Sequence, residues 1–179
     1  AIEPLKVQYR STEPIIEFAQ QVLGSYAKPG EGHAIRDGAS VELFRFSHPG
    51  EAVAFLGEAL RELMIKEPSS SVAVIARYAE QADIYYQGLK ASEVPYLRRI
   101  AEEDFPFKAG VDVTDIKQVK GLEFDYVVLL EVGEASFRDN EESRRLLHIA
   151  ATRAAHQLWI TCVGEPSRRL PQDIVDRAY

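Results

Sequence analysis

The stretch VDVTDIKQVKGLEFDYVVLLE, residues 111–131, decides the fold. Its first half places apolar residues at mostly alternating positions, Val111, Val113 and Ile116, which is typical of a strand that enters a sheet. A short break follows, and then the nearly continuous apolar run 124–130. A strand of that composition is usually buried on both faces, as in a parallel sheet covered by helices. The stretch therefore predicts a strand, a tight loop and a second strand.

The loop between these two strands brings together a cation, a flexible residue and a carboxylate, which are Lys120, Gly121 and Glu123. In open α/β sheets, ligands bind outside the carboxyl ends of the strands. We therefore expect this loop to lie at the ligand-binding edge of the sheet. Taken alone, the same residues fit a solvated turn better than a functional loop. The functional interpretation is favoured only in combination with a second segment downstream.

The rest of the chain alternates predicted strands with predicted helices. Strands are predicted over 41–46, 72–76, 94–97 and 158–163, and helices over 13–23, 51–66, 79–89, 141–155 and 171–178. The alternation predicts an α/β fold in three layers, with a mostly parallel sheet of about five or six strands and helices on both sides.

Composition limits the classes of protein that fit. The 179 residues suit one domain or one lobe of a larger protein, and the hydrophobic fraction of 46% is enough for a substantial core. With 21 basic and 28 acidic residues, the net charge of −7 lacks the electrostatic footprint of a stand-alone nucleic-acid-binding protein. The chain could still form part of a groove whose basic wall lies elsewhere.

Compartment and covalent chemistry are also constrained by the sequence. A single cysteine, Cys162, excludes an internal disulfide and fits a reducing cytoplasm. The apolar runs are too short to cross a bilayer, and the N-terminus has no signal-peptide pattern. The four histidines are scattered, so no metal site is predicted. The chain begins at Ala1, and a motif follows almost immediately. We expect this of one lobe taken from a larger protein.

A second segment, LLHIAATRA at 146–154, has a helical pattern with Thr-Arg near its end. Together, KGLEFDYVVLLE and LLHIAATRAAHQLWI closely resemble motifs V and VI of the UvrD/Rep-like superfamily 1 helicases. The sequence QYRST at 8–12 resembles motif IV of the same family. The three motifs occur in the family's order and together span nearly the whole chain.

This resemblance implies a RecA-like fold and the second of two motor lobes, often called 2A, with ATP bound in the cleft between the lobes. In the family, the arginines of motifs IV and VI reach the γ-phosphate across that cleft, and here they correspond to Arg10 and Arg153. Tyr9 matches the aromatic residue that stacks on adenine. Glu123 matches the carboxylate that contacts the ribose hydroxyls, and Gly121 gives the backbone room to approach.

The same resemblance implies what the chain lacks. No phosphate-binding sequence G-x-x-x-x-G-K-[ST] occurs in it, so ATP and Mg²⁺ are expected on an N-terminal RecA-like lobe of the same polypeptide, and the isolated chain is expected not to hydrolyse ATP. Residues 1–179 are expected to form a single lobe. Only a few residues separate Phe107 from Val111, so the 2B subdomain that larger members insert before motif V is missing.

The partner of the lobe stays open at this stage. Lys117 and Lys120 match the region that contacts single-stranded DNA, although Lys120 equally fits a solvated residue. The family usually opens motif V with Thr-x-His, and here those positions are Asp115 and Lys117. A carboxylate that faces a phosphate backbone opposes strand binding unless it is turned away or paired.

Two alternatives to a DNA helicase or translocase follow. The compact architecture and Asp115 also suit a HelD-like factor that uses ATP to remodel RNA polymerase. A degenerate RecA-like fold kept as an interaction module is the third hypothesis. The presence of Arg10, Glu123 and Arg153 counts against that third hypothesis.

Overall fold

The computed structural model describes residues 13–23 and 41–179. The predicted site residues Tyr9 and Arg10 lie outside the described residues. In chain order the elements are α1 (Glu13–Leu23), β1 (Glu42–Phe46), α2 (Pro49–Lys66), β2 (Ser71–Ala76), α3 (Ala79–Ala91), β3 (Leu97–Arg99), β4 (Gly110–Asp115), β5 (Phe124–Leu129), α4 (Glu141–Ala151), β6 (Ala154–Val163) and α5 (Gln172–Asp176).

The six strands form one sheet in the order β1-β6-β5-β2-β4-β3, and every neighbouring pair is parallel. Helices α1 and α4 supply buried residues to the apolar core on one face of the sheet. Helices α2 and α3 supply them to the core on the other face. The predicted three-layer α/β fold is therefore confirmed, and the mostly parallel sheet is parallel throughout.

All six residues of strand β4 are buried, including the polar residues that alternate with its valines. Val111 and Val113 point into the core beneath α2 and α3. On the opposite face, Asp112 pairs with Arg98 at 2.6 Å, and the Thr114 hydroxyl donates to the Ile100 carbonyl at 2.9 Å. The polar residues of β4 are thus held by neighbouring protein groups rather than by water.

The predicted helix 141–155 is too long, and the predicted strand 158–163 is too short. Helix α4 ends at Ala151, and β6 already begins at Ala154. The cause is non-local, because β6 lies between β1 and β5 and its first residue pairs with Phe124. The N–H of Phe124 also donates to the carbonyl of Arg153 at 2.7 Å. Pairing with β5 therefore extends the strand into a stretch that has little strand character of its own.

Within residues 13–23 and 41–179, none of the helices combines the length and the apolar composition that crossing a membrane requires.

Candidate functional site

The connection from β4 to β5, residues 116–123, crosses the sheet along the strand direction. It runs from the edge formed by the carboxyl ends of the parallel strands to the edge formed by their amino ends. It leaves the carboxyl end of β4 and reaches the amino end of β5 without a helix. Ile116 and Val119 are buried in the core along the way, whereas Lys117 and Lys120 are exposed. The expectation that the whole loop lies at the carboxyl edge is therefore wrong. Lys117 follows the carboxyl end of β4, but Glu123 directly precedes the amino end of β5.

At this amino edge, Glu123 and Arg153 occupy equivalent places at the starts of neighbouring strands. Phe124 pairs in register with Ala154, so the residue before each strand start faces the other. Burial lowers the pKa of Arg153, and the nearby negative charge of Glu123 opposes that shift. The structure therefore brings together two of the predicted site residues that are 30 positions apart in the sequence.

The guanidinium group of Arg153 is partly held by the end of its own helix. Its Nε donates to the Ile149 carbonyl at 3.2 Å, and its Nη2 donates to the Thr152 hydroxyl at 3.1 Å. A cation at a helix C-terminus is favourable by itself. In the part of the chain that the structure describes, however, Nη1 has no hydrogen-bond partner. The half-buried side chain is thus oriented by two bonds and keeps donors for an anion.

Gly121 adopts a left-handed backbone with φ of +80°, and a Cβ placed there would meet no atom of the described residues within 4 Å. Glycine is therefore favoured at this position, because residues with a Cβ are strained at such a positive φ. The described residues leave space around Gly121, and the expected approach of another molecule to its backbone stays a prediction.

Asp115, which cast doubt on strand binding, does not face outward. Its side chain is buried, and its Oδ1 accepts from the Lys117 N–H at 3.0 Å. Its Oδ2 lies 3.5 Å from Nε2 of Gln118. The carboxylate thus forms a local turn that exposes Lys117, and it presents no open negative charge to a neighbouring phosphate.

Sequence reasoning missed two residues that shape the amino edge. Thr152 orients Arg153 through its hydroxyl, which itself donates to the Ile149 carbonyl at 2.9 Å. Asp125 accepts from the Ser71 N–H at 3.0 Å and lies 3.2 Å from the His156 ring nitrogen, which fixes the start of β5 against its neighbours. The position of Asp125 as an ionisable residue inside the apolar run 124–130 is the sequence signal that could have identified it.

A contact between helices connects this site to the segment that follows motif IV. His148 Nδ1 on α4 lies 3.1 Å from the Ala19 carbonyl on α1. Helix α4 leads directly into Arg153, and α1 follows Arg10 in the chain. Their packing in one apolar core means that a displacement of either helix is transmitted to the other.

No metal-binding cluster is present among the described residues, because nowhere in 13–23 or 41–179 do three His, Cys, Asp or Glu side chains converge. The arrangement instead offers one oriented guanidinium group and one exposed carboxylate beside an open glycine turn. Such a set suits contact with an anionic ligand that carries hydroxyl groups.

Comparison with protein families assigns this α/β lobe to the helicases. Residues 4–107 and residues 110–161 match two family models, each described as a UvrD-like helicase C-terminal domain. Because the first match covers more than half of the chain, the chain belongs to the UvrD-like helicase C-terminal domain family. Among curated protein sequences, none matches the chain significantly.

Solved structures agree on the fold. The C-terminal domain of a possible DNA helicase from Lactobacillus plantarum WCFS1 superposes with a TM-score of 0.75 at 24% identity, covering 93% of this chain and 96% of that one. The C-terminal domain of the DEAD-box protein Dbp5 superposes with a TM-score of 0.50 at 11% identity, covering 78% of this chain and 82% of that one. These likenesses support the three-layer α/β fold.

Proposed function

We propose that this lobe is the C-terminal motor lobe of an ATP-dependent DNA helicase or translocase. In this proposal residues 1–179 form a single lobe without a 2B insertion, and they act on a nucleotide held by an N-terminal RecA-like lobe of the same polypeptide. The observation that carries the proposal is the oriented, half-buried guanidinium of Arg153 beside the exposed Glu123 at adjacent strand starts.

The proposed chemistry of the site follows from charge. Bound ATP supplies the phosphoryl group, on which negative charge is spread during transfer. Arg153, with Arg10 as its expected companion, would neutralise that charge from across the cleft. Because two bonds to α4 already orient Arg153, little reorganisation is needed when the lobes close. Glu123 would accept hydrogen bonds from the ribose hydroxyls, and Tyr9 would stack on the base.

Mg²⁺ does not fit this lobe, since the described residues supply no converging set of carboxylates. In the proposal the metal ligands belong to the N-terminal lobe, as does the loop that cradles the phosphates. The contribution of this lobe is restricted to orienting groups and neutralising charge. Closure of the cleft would thereby be coupled to the state of the nucleotide.

Single-stranded DNA is the proposed partner at the opposite, carboxyl edge of the sheet. Lys117 is exposed there because Asp115 accepts from its backbone N–H. The buried position of Asp115 removes one of the observations that favoured a HelD-like factor acting on RNA polymerase, whereas the compact architecture suits both partners. The deciding experiment is the ATPase rate of the full-length protein with and without single-stranded DNA. Strong stimulation supports the DNA motor, and a rate that DNA leaves unchanged contradicts it.

Gly121 offers a prediction with a closely matched control. We expect Gly121→Ala to destabilise the chain by about 1 kcal/mol, because alanine is strained at positive φ. We also expect it to raise the KM for ATP of the full-length protein, because it displaces the loop before Glu123. Gly164 has φ of +81° and, like Gly121, leaves space for a Cβ among the described residues, so Gly164→Ala should cost similar stability and leave the KM unchanged. Equal KM values for ATP in the two variants would show that Gly121 is not part of the nucleotide-binding site.

Lys117 gives a prediction about salt dependence. We expect Lys117→Ala to weaken binding of the full-length protein to single-stranded DNA and to reduce the slope of log K against log salt by about 0.7, the value for one phosphate contact on a single strand. Titrations at several salt concentrations measure both quantities. Lys90→Ala, an exposed lysine at the end of α3, is the control. An unchanged slope in Lys117→Ala would exclude the phosphate contact.

A further inference from the structure

We infer that Tyr78 is a base-stacking residue for single-stranded DNA at the carboxyl edge of the sheet, an inference that rests on the proposed function. Its phenol ring is 43% exposed, although the side chain follows a fully buried strand end. Aromatic rings that bind single strands stack on the bases, and they do so with little sequence preference because every base has a π face. Neither the motif resemblance nor the family matches assign Tyr78 a role.

The position of Tyr78 relative to Lys117 comes from the register of the sheet. Ala76 at the end of β2 pairs with Asp115 at the end of β4. Tyr78 and Lys117 each lie two residues beyond that pair, after the ends of neighbouring strands whose backbones lie about 4.8 Å apart. An exposed aromatic residue and an exposed cation therefore follow the carboxyl ends of two neighbouring strands, and this pairing of residue types suits a single-strand-binding surface.

Tyr78 is also fixed in place before any ligand binds. The guanidinium carbon of Arg77 lies 4.9 Å from the centroid of the Tyr78 ring, and Arg77 itself donates to Glu142 at 3.0 Å. The backbone N–H of Tyr78 donates to Gln81 Oε1 at 3.3 Å, and Gln81 Nε2 donates to Ser136 at 2.8 Å. Contacts to two other segments of the chain thus hold both the ring and its backbone, so stacking loses little conformational entropy.

The charges at this edge favour base contacts over phosphate contacts. Arg77 is paired with Glu142, and Arg99 is paired with Asp83 at 2.8 Å. Cations that are already paired with carboxylates add little attraction for phosphates. The net charge of −7 of the whole chain also weakens the attraction for phosphates. Affinity at this edge is therefore expected to depend on stacking, with a shallow dependence on salt.

The test compares two strands that differ only in their bases. Full-length protein is titrated with a fluorescent oligothymidine and with an abasic strand of the same length, at one salt concentration. Removing one stacked base contact corresponds to about 1–3 kcal/mol, so Tyr78→Ala should weaken oligothymidine binding roughly 5- to 160-fold. Binding to the abasic strand should change less than about two-fold, and Tyr78→Phe should retain wild-type affinity for both strands.

Tyr96 provides a matched control, since it is 67% exposed but precedes β3 at the amino edge. Tyr96→Ala should bind both strands as the wild type does. Equal losses on the two strands in Tyr78→Ala, or no loss on either, overturn the stacking role. If Lys117→Ala weakens binding and Tyr78→Ala does not, only the stacking role fails. A wild-type protein that binds neither strand overturns both the stacking role and the proposed DNA partner.

Discussion

Replacing Arg153 with alanine should lower the ATP turnover of the full-length protein by roughly three to five decades, the range measured when an arginine supplied in trans is lost. In the proposed function, the guanidinium neutralises charge that develops only as the phosphoryl group is transferred. The effect should therefore appear mainly in kcat, with a smaller change in KM. Steady-state ATPase assays with saturating single-stranded DNA measure both parameters.

Two further variants separate the proposed chemistry from a structural role. Arg153→Lys keeps the positive charge but loses the planar fork, so we expect it to recover only part of the rate. Arg145→Ala removes an exposed arginine from the same helix and should turn over normally. Thermal unfolding of Arg153→Ala shows whether loss of its bonds to Ile149 and Thr152 affects the fold. Near-normal turnover in a folded Arg153→Ala protein would contradict its proposed role.

The second large effect concerns stability and involves Arg98. We expect Arg98→Ala to lower the free energy of unfolding by roughly 3 kcal/mol at neutral pH, because it leaves the buried carboxylate of Asp112 without its partner. This value is at the low end of the range for buried pairs, since the Arg98 side chain remains 21% exposed. Arg98 also donates to the carbonyls of Ala109 and Lys108, at 3.0 and 3.2 Å, so the loop before β4 should loosen.

The same variant has a defined pH dependence. Burial raises the pKa of Asp112 above its usual value of 3.8, and Arg98 opposes this shift. A carboxyl group with a raised pKa binds more protons in the folded chain than in the unfolded chain, so its contribution to stability falls as pH rises through that window. Removing Arg98 raises the pKa further. The stability difference between Arg98→Ala and the wild type should therefore shrink as pH falls towards 4.

Urea unfolding at pH 7 and at pH 4 measures this difference. Lys66→Ala is the control, because Lys66 and Glu62 form a pair in which both side chains are exposed, at 2.9 Å. Exposed helix pairs of this kind contribute roughly 0.3–0.5 kcal/mol. A loss in Arg98→Ala as small as that of the control would show that Asp112 is not buried as described.

The sequence predicted the kind and order of most elements because the apolar runs and their breaks are local signals. The run 124–130 was expected to be buried on both faces, and strand β5 lies in the middle of the sheet. By contrast, the end of α4 and the start of β6 depend on pairing between Phe124 and Ala154. No local pattern contains that pairing, so the predicted helix continued past Ala151.

The edge assignment failed for a topological reason. The rule that ligands bind at carboxyl ends applies to loops that follow a strand, and residues 116–123 both follow one strand and precede another. Sequence cannot show that eight residues cross the sheet without a helix. For the same reason the buried orientation of Asp115 could not be predicted, since its acceptor role depends on the turn at Lys117.

The motifs predicted that Glu123 and Arg153 share one rim of the lobe, and the parallel register of β5 and β6 places them at adjacent strand starts. Their proposed roles toward a nucleotide depend on chemistry that only a ligand can test. The contact between His148 and the Ala19 carbonyl had no counterpart in the prediction. It arises from packing of two helices that are far apart in the sequence.

The most direct test is a structure of the full-length protein with ADP, aluminium fluoride and Mg²⁺, which together mimic the phosphoryl group in transfer. Our account predicts that a guanidinium nitrogen of Arg153 lies within hydrogen-bond distance, about 3 Å, of the fluoride mimic, and that Glu123 faces the ribose. A nucleotide bound away from the amino edge of β5 and β6, with Arg153 contacting only Ile149 and Thr152, would contradict it.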